Sequence, residues 1–163
     1  MNAVLHIKEL IEQSLGKSLS FEEANSRVTL EVEDLVSVCD LLWRSPESYF
    51  DSLSCLTTID QGPSSGDLEL IYTLYSIPNH VTFHLRVVVP RLLPDGSLPE
   101  VPTVSHIWKT ADWHEREAFD LVGVKFTGHP DLRRILLPED WKGHPLRKDY
   151  EEPDTYHGIQ VKY

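Results

Sequence analysis

Apolar residues recur along this chain at two spacings, and each spacing predicts an element. Over residues 3–15, Val4, Ile7, Ile11 and Leu15 fall at the interval of a helical face, with Asn2 as a cap before them and Gly16 as a stop after. In RVTLEV (27–32) the interval drops to two, and Val28, Leu30 and Val32 share one face of an expected strand. Asp34 can then cap a helix that presents Leu35, Val38, Cys39 and Leu42 and ends before Pro46. The stretch FDSLSCLTTID (50–60) predicts another strand, with Leu53, Cys55, Thr57 and Ile59 alternating on one face.

A hairpin is the clearest local pattern. DLELIYTLYSI (67–77) and HVTFHLRVVV (80–89) flank the turn dipeptide Pro78-Asn79. Val81, Phe83, Leu85, Val87 and Val89 lie on one side of the second strand, while Thr82, His84 and Arg86 lie on the other. That division fits a sheet covered on a single face by the helices already placed. PRLLPDGSLPEVP (90–102) reads as a loop, and a third helix is expected from about Ser105 to Val122, closed by Gly123. Ile107, Ala111, His114, Ala118 and Leu121 form one side of it, and VKF (124–126) suits a short strand. Beyond that point the periodicity stops. The expected class is therefore α+β: an antiparallel sheet with helices packed on one face over residues 1–126, then an extended, proline-containing C-terminal arm over residues 127–163.

Composition narrows the function. Of 163 residues, 40% are apolar and 25% charged, which suits a globular chain with its own core. No apolar run approaches the ~20 residues that span a bilayer. The first residues lack a basic region and a cleavage site, so a mature cytoplasmic chain is expected. A formal net charge of -11 opposes nucleic-acid binding, which needs lysines and arginines to neutralise phosphates. Residues 112–150 depart from that acidity, with eight Asp/Glu against seven Lys/Arg. Dense but balanced charge points to ion pairs, within the chain or across an interface.

Candidate chemistry is sparse. Cys39 and Cys55 are too few for an iron–sulfur cluster or a four-cysteine zinc site. No H-E-x-x-H pair, G-x-S-x-G elbow or glycine-rich phosphate loop occurs, so no complete active site is legible. His114, His129 and His144 could still converge on a metal, as in a stand-alone hydrolase. Glu115, Glu117 and Asp120 on the third helix can pair with Arg133, Arg134, Arg147 and Lys148, and the planar forks of the arginines suit carboxylates. GHPDLRRILLPEDWKGHPLRKDY (128–150) carries three prolines and interleaves Leu132, Ile135, Leu136, Trp141 and Tyr150 with charges. Such a segment fits half of a permanent protein interface; the alternative is a tail wrapped on its own domain.

The same residues carry a family resemblance. Glu115-Arg116-Glu117, Asp120, Leu121-Val122, His129, Arg133 and then Arg134-Ile135-Leu136 closely resemble the C-terminal motif of the 30 kDa subunit of NADH-quinone oxidoreductase, respiratory complex I. PEDWKGHPLRKDY (138–150) is equally typical of that family, and the hairpin and FDSLSCLTTID fit its N-terminal domain. The resemblance implies a non-catalytic subunit of the peripheral arm, on the cytoplasmic side of the bacterial inner membrane, that meets the membrane only through partner subunits. It implies no cofactor in this chain, with FMN, iron–sulfur clusters, NADH and quinone held elsewhere in a proton-pumping hetero-oligomeric complex. Expected partners are the large quinone-site subunit and the iron–sulfur subunits. The implied docking residues are Glu115, Arg116, Glu117, Asp120, His129, Arg133, Arg134, Trp141, His144, Arg147, Lys148 and Asp149. Related subunits in ferredoxin- or deazaflavin-dependent dehydrogenases and in membrane-bound hydrogenases remain the alternative.

Overall fold

The apolar stripes organise the chain into helices on a sheet. A computed structural model describes residues 3–161, so the cap expected at Asn2 lies outside the described residues. Helix α1 (Ala3–Leu15) buries Ile7 and Ile11. Strands β1 (Phe21–Glu22) and β2 (Arg27–Leu30) follow, and β2 ends earlier than its alternation suggests because Val32–Asp34 close into a 3-10 turn. Helix α2 (Leu35–Arg44) buries Leu35, Val38, Cys39 and Leu42 as expected. Asp34 holds the N-cap position but makes no side-chain cap; its carboxylate pairs instead with Lys17 Nζ at 2.5 Å.

Strands β3 (Ser52–Asp60), β4 (Asp67–Ser76) and β5 (Val81–Pro90) form an antiparallel meander. The β4–β5 register runs unbroken from Ser76↔Val81 to Asp67↔Pro90. Phe83, Leu85 and Val87 therefore share the buried face with Leu70, Tyr72 and Leu74. β2 joins the far side of β5 in parallel, so the sheet order is β1-β2-β5-β4-β3 and the sheet is mostly, not wholly, antiparallel.

β3 breaks the expected alternation. A register shift between Leu53 and Cys55 makes Ser54 an extra residue, and one extra residue turns every later side chain to the opposite face. Leu53, Leu56 and Asp60 are buried, while Thr57 and Ile59 are exposed. Leu53, Cys55, Thr57 and Ile59 thus do not share a face, and a charged residue, Asp60, is carried inside.

Two further departures place the site. The stretch expected to be loop throughout contains β6 (Glu100–Pro102), which pairs in parallel with β7 (Lys125–Thr127). The third helix, α3 (Ala111–Leu121), begins later than Ser105, because hydrogen bonds from Ile107 and Trp108 to Val104 O make separate turns before it. Trp108 Nε1 donates to Phe50 O and Thr110 Oγ1 to Leu53 O, both at 3.0 Å. These bonds dock the start of α3 beside β3, the last strand of the sheet, whose outer edge needs cover. After β7 no helix or strand occurs until a small hairpin of β8 (Thr155–Tyr156) and β9 (Ile159–Gln160).

Tyr72 reaches the core from β4 fully buried, and its hydroxyl finds no hydrogen-bond partner among the described residues. A buried hydroxyl left unpaired costs stability. Tyr72→Phe is therefore expected to leave unfolding free energy unchanged or raised by about 1 kcal/mol, measured by urea denaturation.

Candidate functional site

Helix α3 ends in a way that creates demand. The last carbonyls of a helix have no partner within it. Here Ala118 O accepts both Val122 N–H and Gly123 N–H, while the carbonyls of residues 120–123 look away from the helix toward the C-terminal segment. That segment supplies the donors. Arg134 Nη1 and His144 Nδ1 serve Asp120 O at 3.1 and 3.0 Å. Leu146 N–H serves Leu121 O at 2.9 Å, and Arg147 serves Val122 O at 2.7 Å and Gly123 O at 3.2 Å. Two guanidinium groups at the negative end of the helix dipole add favourable electrostatics.

The Asp120 side chain is the centre of this contact. It has no exposed surface, and its Oδ2 accepts three successive backbone N–H groups, Ile135, Leu136 and Leu137, at 3.0, 2.8 and 2.9 Å. Its Oδ1 takes Arg134 Nη1 at 2.6 Å, and Arg134 Nη2 goes on to the carbonyls of Trp141 and Gly143. Burial pushes the Asp120 carboxyl upward, but the N–H of Leu137, Arg134 and the N–H groups of Leu136 and Ile135 outweigh it, and the net shift is downward. Burial is the main cause that pushes the His144 imidazole below its ordinary value, and its ring lies over Gly123. Gly123 has φ +83°, and a Cβ there would stand 2.6 Å from the imidazole, so only glycine admits this approach.

The other acid of the helix goes elsewhere. Glu115 is fully buried and faces β6: Oε1 accepts Val104 N–H at 2.8 Å and Oε2 the Thr103 hydroxyl at 2.5 Å. Desolvation raises its carboxyl from 4.5 to about 7 against the pull of those two bonds. His129, whose side chain is also buried, lies 3.9 Å away through Nε2. Its Nδ1 accepts Asp131 N–H, so Nε2 carries the proton that goes to Asp112 O. Arg116 donates to Arg133 O and Arg134 O and stands over the Trp113 ring.

A second clamp involves two residues not picked from the sequence. Asp60, turned inward by the β3 bulge, accepts Arg91 Nε at 2.7 Å, Gly62 N–H at 3.0 Å and Lys148 N–H at 2.8 Å. Arg91 also holds Asp149, and Arg91 O receives Arg147. Nothing local in the sequence links these partners; a buried acid predicted from the bulge was the missing signal.

Of the pairings expected from charge arithmetic, Asp120–Arg134 forms. Glu115 and Glu117 meet no arginine: Glu117 is exposed on a cleft opposite Cys55 and Thr57. Arg133 is exposed and pairs with Asp131; Lys148 gives its backbone N–H to Asp60 and its ammonium to Gln61 O at 3.4 Å. Trp141 Nε1 donates to Tyr150 Oη at 3.0 Å. His114, His129 and His144 form no metal cluster: among the described residues no group of three His, Cys, Asp or Glu side chains is placed to hold a metal ion. Both cysteines are free, and burial pushes the Cys39 thiol up, away from nucleophilic use.

Comparison with known proteins gives a consistent family. The profile "Respiratory-chain NADH dehydrogenase, 30 Kd subunit" matches residues 28–156. An NADH-quinone oxidoreductase subunit of Chloroherpeton thalassium is 40% identical over 94% of this chain and 63% of its own length, so this chain spans under two thirds of that relative. The subunit of the same type from Chlorobium phaeobacteroides is 37% identical over 95% of this chain and 93% of that protein. In Geobacter sulfurreducens the corresponding protein is 40% identical over 91% of this chain and 87% of that one. A chain of the membrane-bound sulfane sulfur reductase, an archaeal respiratory membrane complex, shares the fold with a TM-score of 0.73 at 21% identity, covering 93% of this chain and 86% of that one.

The three buried acids carry pH signatures of opposite sign. Asp120 and Asp60 are held below their ordinary value of 3.8, so the stability they contribute is present above that value and lost as pH falls through their lowered folded values. Asp120→Asn, which leaves Arg134 without its counter-charge, should lower unfolding free energy by roughly 3 kcal/mol and speed proteolysis of residues 128–161. Glu115 works the other way. Its folded value is raised, so its contribution is complete below 4.5 and declines as pH rises through about 7, by at most about 1.4 kcal/mol per pH unit. Glu115→Gln keeps an acceptor for Val104 and removes the titrating group, with its amide N–H donating to the Thr103 hydroxyl oxygen in place of the bond that Oε2 accepts. Urea denaturation between pH 5 and 8 should show that decline in the native chain and its absence in the variant.

Proposed function

The chain belongs to the 30 kDa subunit family of respiratory-chain NADH dehydrogenases, and we propose that it serves as a non-catalytic peripheral-arm subunit of a membrane-associated, proton-pumping NADH:quinone oxidoreductase. In this reading residues 1–126 are the body and residues 127–163 a docking arm that binds the large quinone-site subunit and helps hold the quinone-reducing module together. The iron–sulfur subunits are neighbours in the same hetero-oligomer. FMN, the iron–sulfur clusters, NADH and quinone belong to those other subunits, and this chain holds none of them. It sits on the cytoplasmic side of the bacterial inner membrane and reaches the membrane through its partners; no helix among the described residues is long and apolar enough to cross a bilayer.

One observation carries the docking reading. Most polar groups of the family motif are spent inside the chain, Asp120 and Arg134 at the end of α3 and Glu115 on Thr103 and Val104, while two apolar side chains of the segment point outward. Leu136 is 62% and Leu146 59% exposed, although both have backbone N–H groups bonded to α3. Apolar side chains held rigidly at the surface are what an interface core needs. The implied docking residues accordingly divide into two groups. Asp120, Glu115, Arg116, His129, Arg134, His144 and Arg147 fix the shape of the arm from within. Glu117, Arg133, Lys148 and Asp149 remain exposed at its surface, and Trp141 half exposed.

A second reading draws on the shared fold with the sulfane sulfur reductase chain. It places this subunit in a related complex, a ferredoxin- or deazaflavin-dependent dehydrogenase or a membrane-bound hydrogenase. Purification of the tagged chain from gently solubilised native membranes, with mass spectrometry of what accompanies it, tests both. Recovery of flavin, iron–sulfur and membrane subunits supports the NADH:quinone role, and a different donor-side subunit supports the second reading. A chain recovered alone rejects docking. Leu136→Asp combined with Arg133→Glu is expected to leave the chain folded, by circular dichroism, and to cut recovery of the large subunit by about tenfold.

A further inference from the structure

Beyond the clamp on α3, the C-terminal segment builds a cavity that its own folding does not explain. Trp141 and Tyr150 are joined by the indole-to-hydroxyl hydrogen bond, and the Trp141 ring packs 5.1 Å from that of Tyr156 on β8. Gly143 keeps the Tyr150 ring in place: with φ +82° and 3.0 Å from a would-be Cβ to Tyr150 Cε2, no side chain fits there without displacing the ring. Trp141 and Tyr150, with Leu137, Pro145 and Pro153, wall an open cavity of about 280 Å³. A single charged side chain lines it, the exposed carboxylate of Glu152, which makes no ion pair among the described residues.

Aromatic faces beside a carboxylate that makes no ion pair among the described residues, with no cationic side chain among the described lining residues, define the chemistry of the occupant. An anion would be repelled by Glu152. A purely apolar group would strip that carboxylate of water and give nothing back. A cation on an aliphatic stem satisfies both surfaces, the stem against proline and leucine, the charge against the rings and the carboxylate. We propose that this cavity receives an arginine or lysine side chain from the partner subunit on which the arm docks. The proposal rests on the docking reading and adds the chemistry of one contact to it. A chain of net charge -11 also favours a basic partner surface.

The test uses the full complex. Leu137→p-benzoylphenylalanine places a photo-crosslinker on the cavity wall of the tagged chain in native membranes, and mass spectrometry identifies the crosslinked peptide. The expected result is a peptide of a co-purifying subunit that contains arginine or lysine. In parallel, Glu152→Lys, an exposed change checked for folding by circular dichroism, should lower recovery of that subunit by about tenfold, with Glu152→Gln in between. Replacing the identified basic residue by glutamate should restore recovery with Glu152→Lys. A crosslink to a peptide without a basic residue, to a second copy of this chain or to this chain itself overturns the proposal. So does undiminished recovery with Glu152→Lys. In those cases the partner subunits still co-purify with the native chain and the docking reading stands; a native chain that purifies alone removes both.

Discussion

A carboxylate with no exposed surface has to be surrounded by donors, and Asp120 collects them from a segment that has little regular structure of its own. Three consecutive backbone N–H groups and one guanidinium converge on two oxygen atoms. In exchange, the carbonyls at the end of α3 receive the donors they lack. The two needs are complementary: a helix terminus short of donors and an irregular chain short of a frame. Neither the prolines nor the scattered apolar residues of the segment could fix its path alone, since both leave its backbone polar groups unassigned.

This contact also couples the sheet to the C-terminal segment. α3 is docked beside β3 at its start by Trp108 and Thr110, and Asp60 at the other end of β3 holds Arg91 and the backbone of Lys148. Glu115 ties the same helix to the strand pair β6–β7 through Thr103 and Val104. One helix is thereby bonded to the sheet, the small parallel pair and the C-terminal segment, so a displacement of any one of them is felt by the rest. Such rigidity suits a family member whose role is read as holding a module together.

Much of this was legible in the sequence, and the failures have specific causes. The β4–β5 hairpin follows its pattern because nothing interrupts a period of two over either strand. β3 fails because a single inserted residue, Ser54, inverts the faces while leaving the composition of the strand unchanged, and periodicity cannot see a bulge. β6 fails because prolines mask a strand that pairs through so few residues. Charge arithmetic found Asp120–Arg134, where acid and base lie fourteen residues apart across one turn of the chain. It misassigned Glu115, whose partners are a hydroxyl and a backbone amide rather than an arginine, and it passed over Asp60 and Arg91, whose link depends on the inverted face.

The bond from Asp60 to Lys148 closes a loop of 88 residues, far longer than the loops closed by Asp120. Closing entropy grows with loop length, so α3 and residues 128–146 can associate through short loops well before that bond forms. During synthesis Asp60 and Arg91 leave the ribosome long before Lys148 and Asp149. Until the last residues arrive, the end of β3 carries an acid already turned inward and only partly compensated. A chain cut short just before Lys148 would leave Asp60 with Arg91 and Gly62 but without its third donor, and Arg91 without Asp149, so the last bonds to form are the ones that tie the end of β3 to the far end of the C-terminal segment.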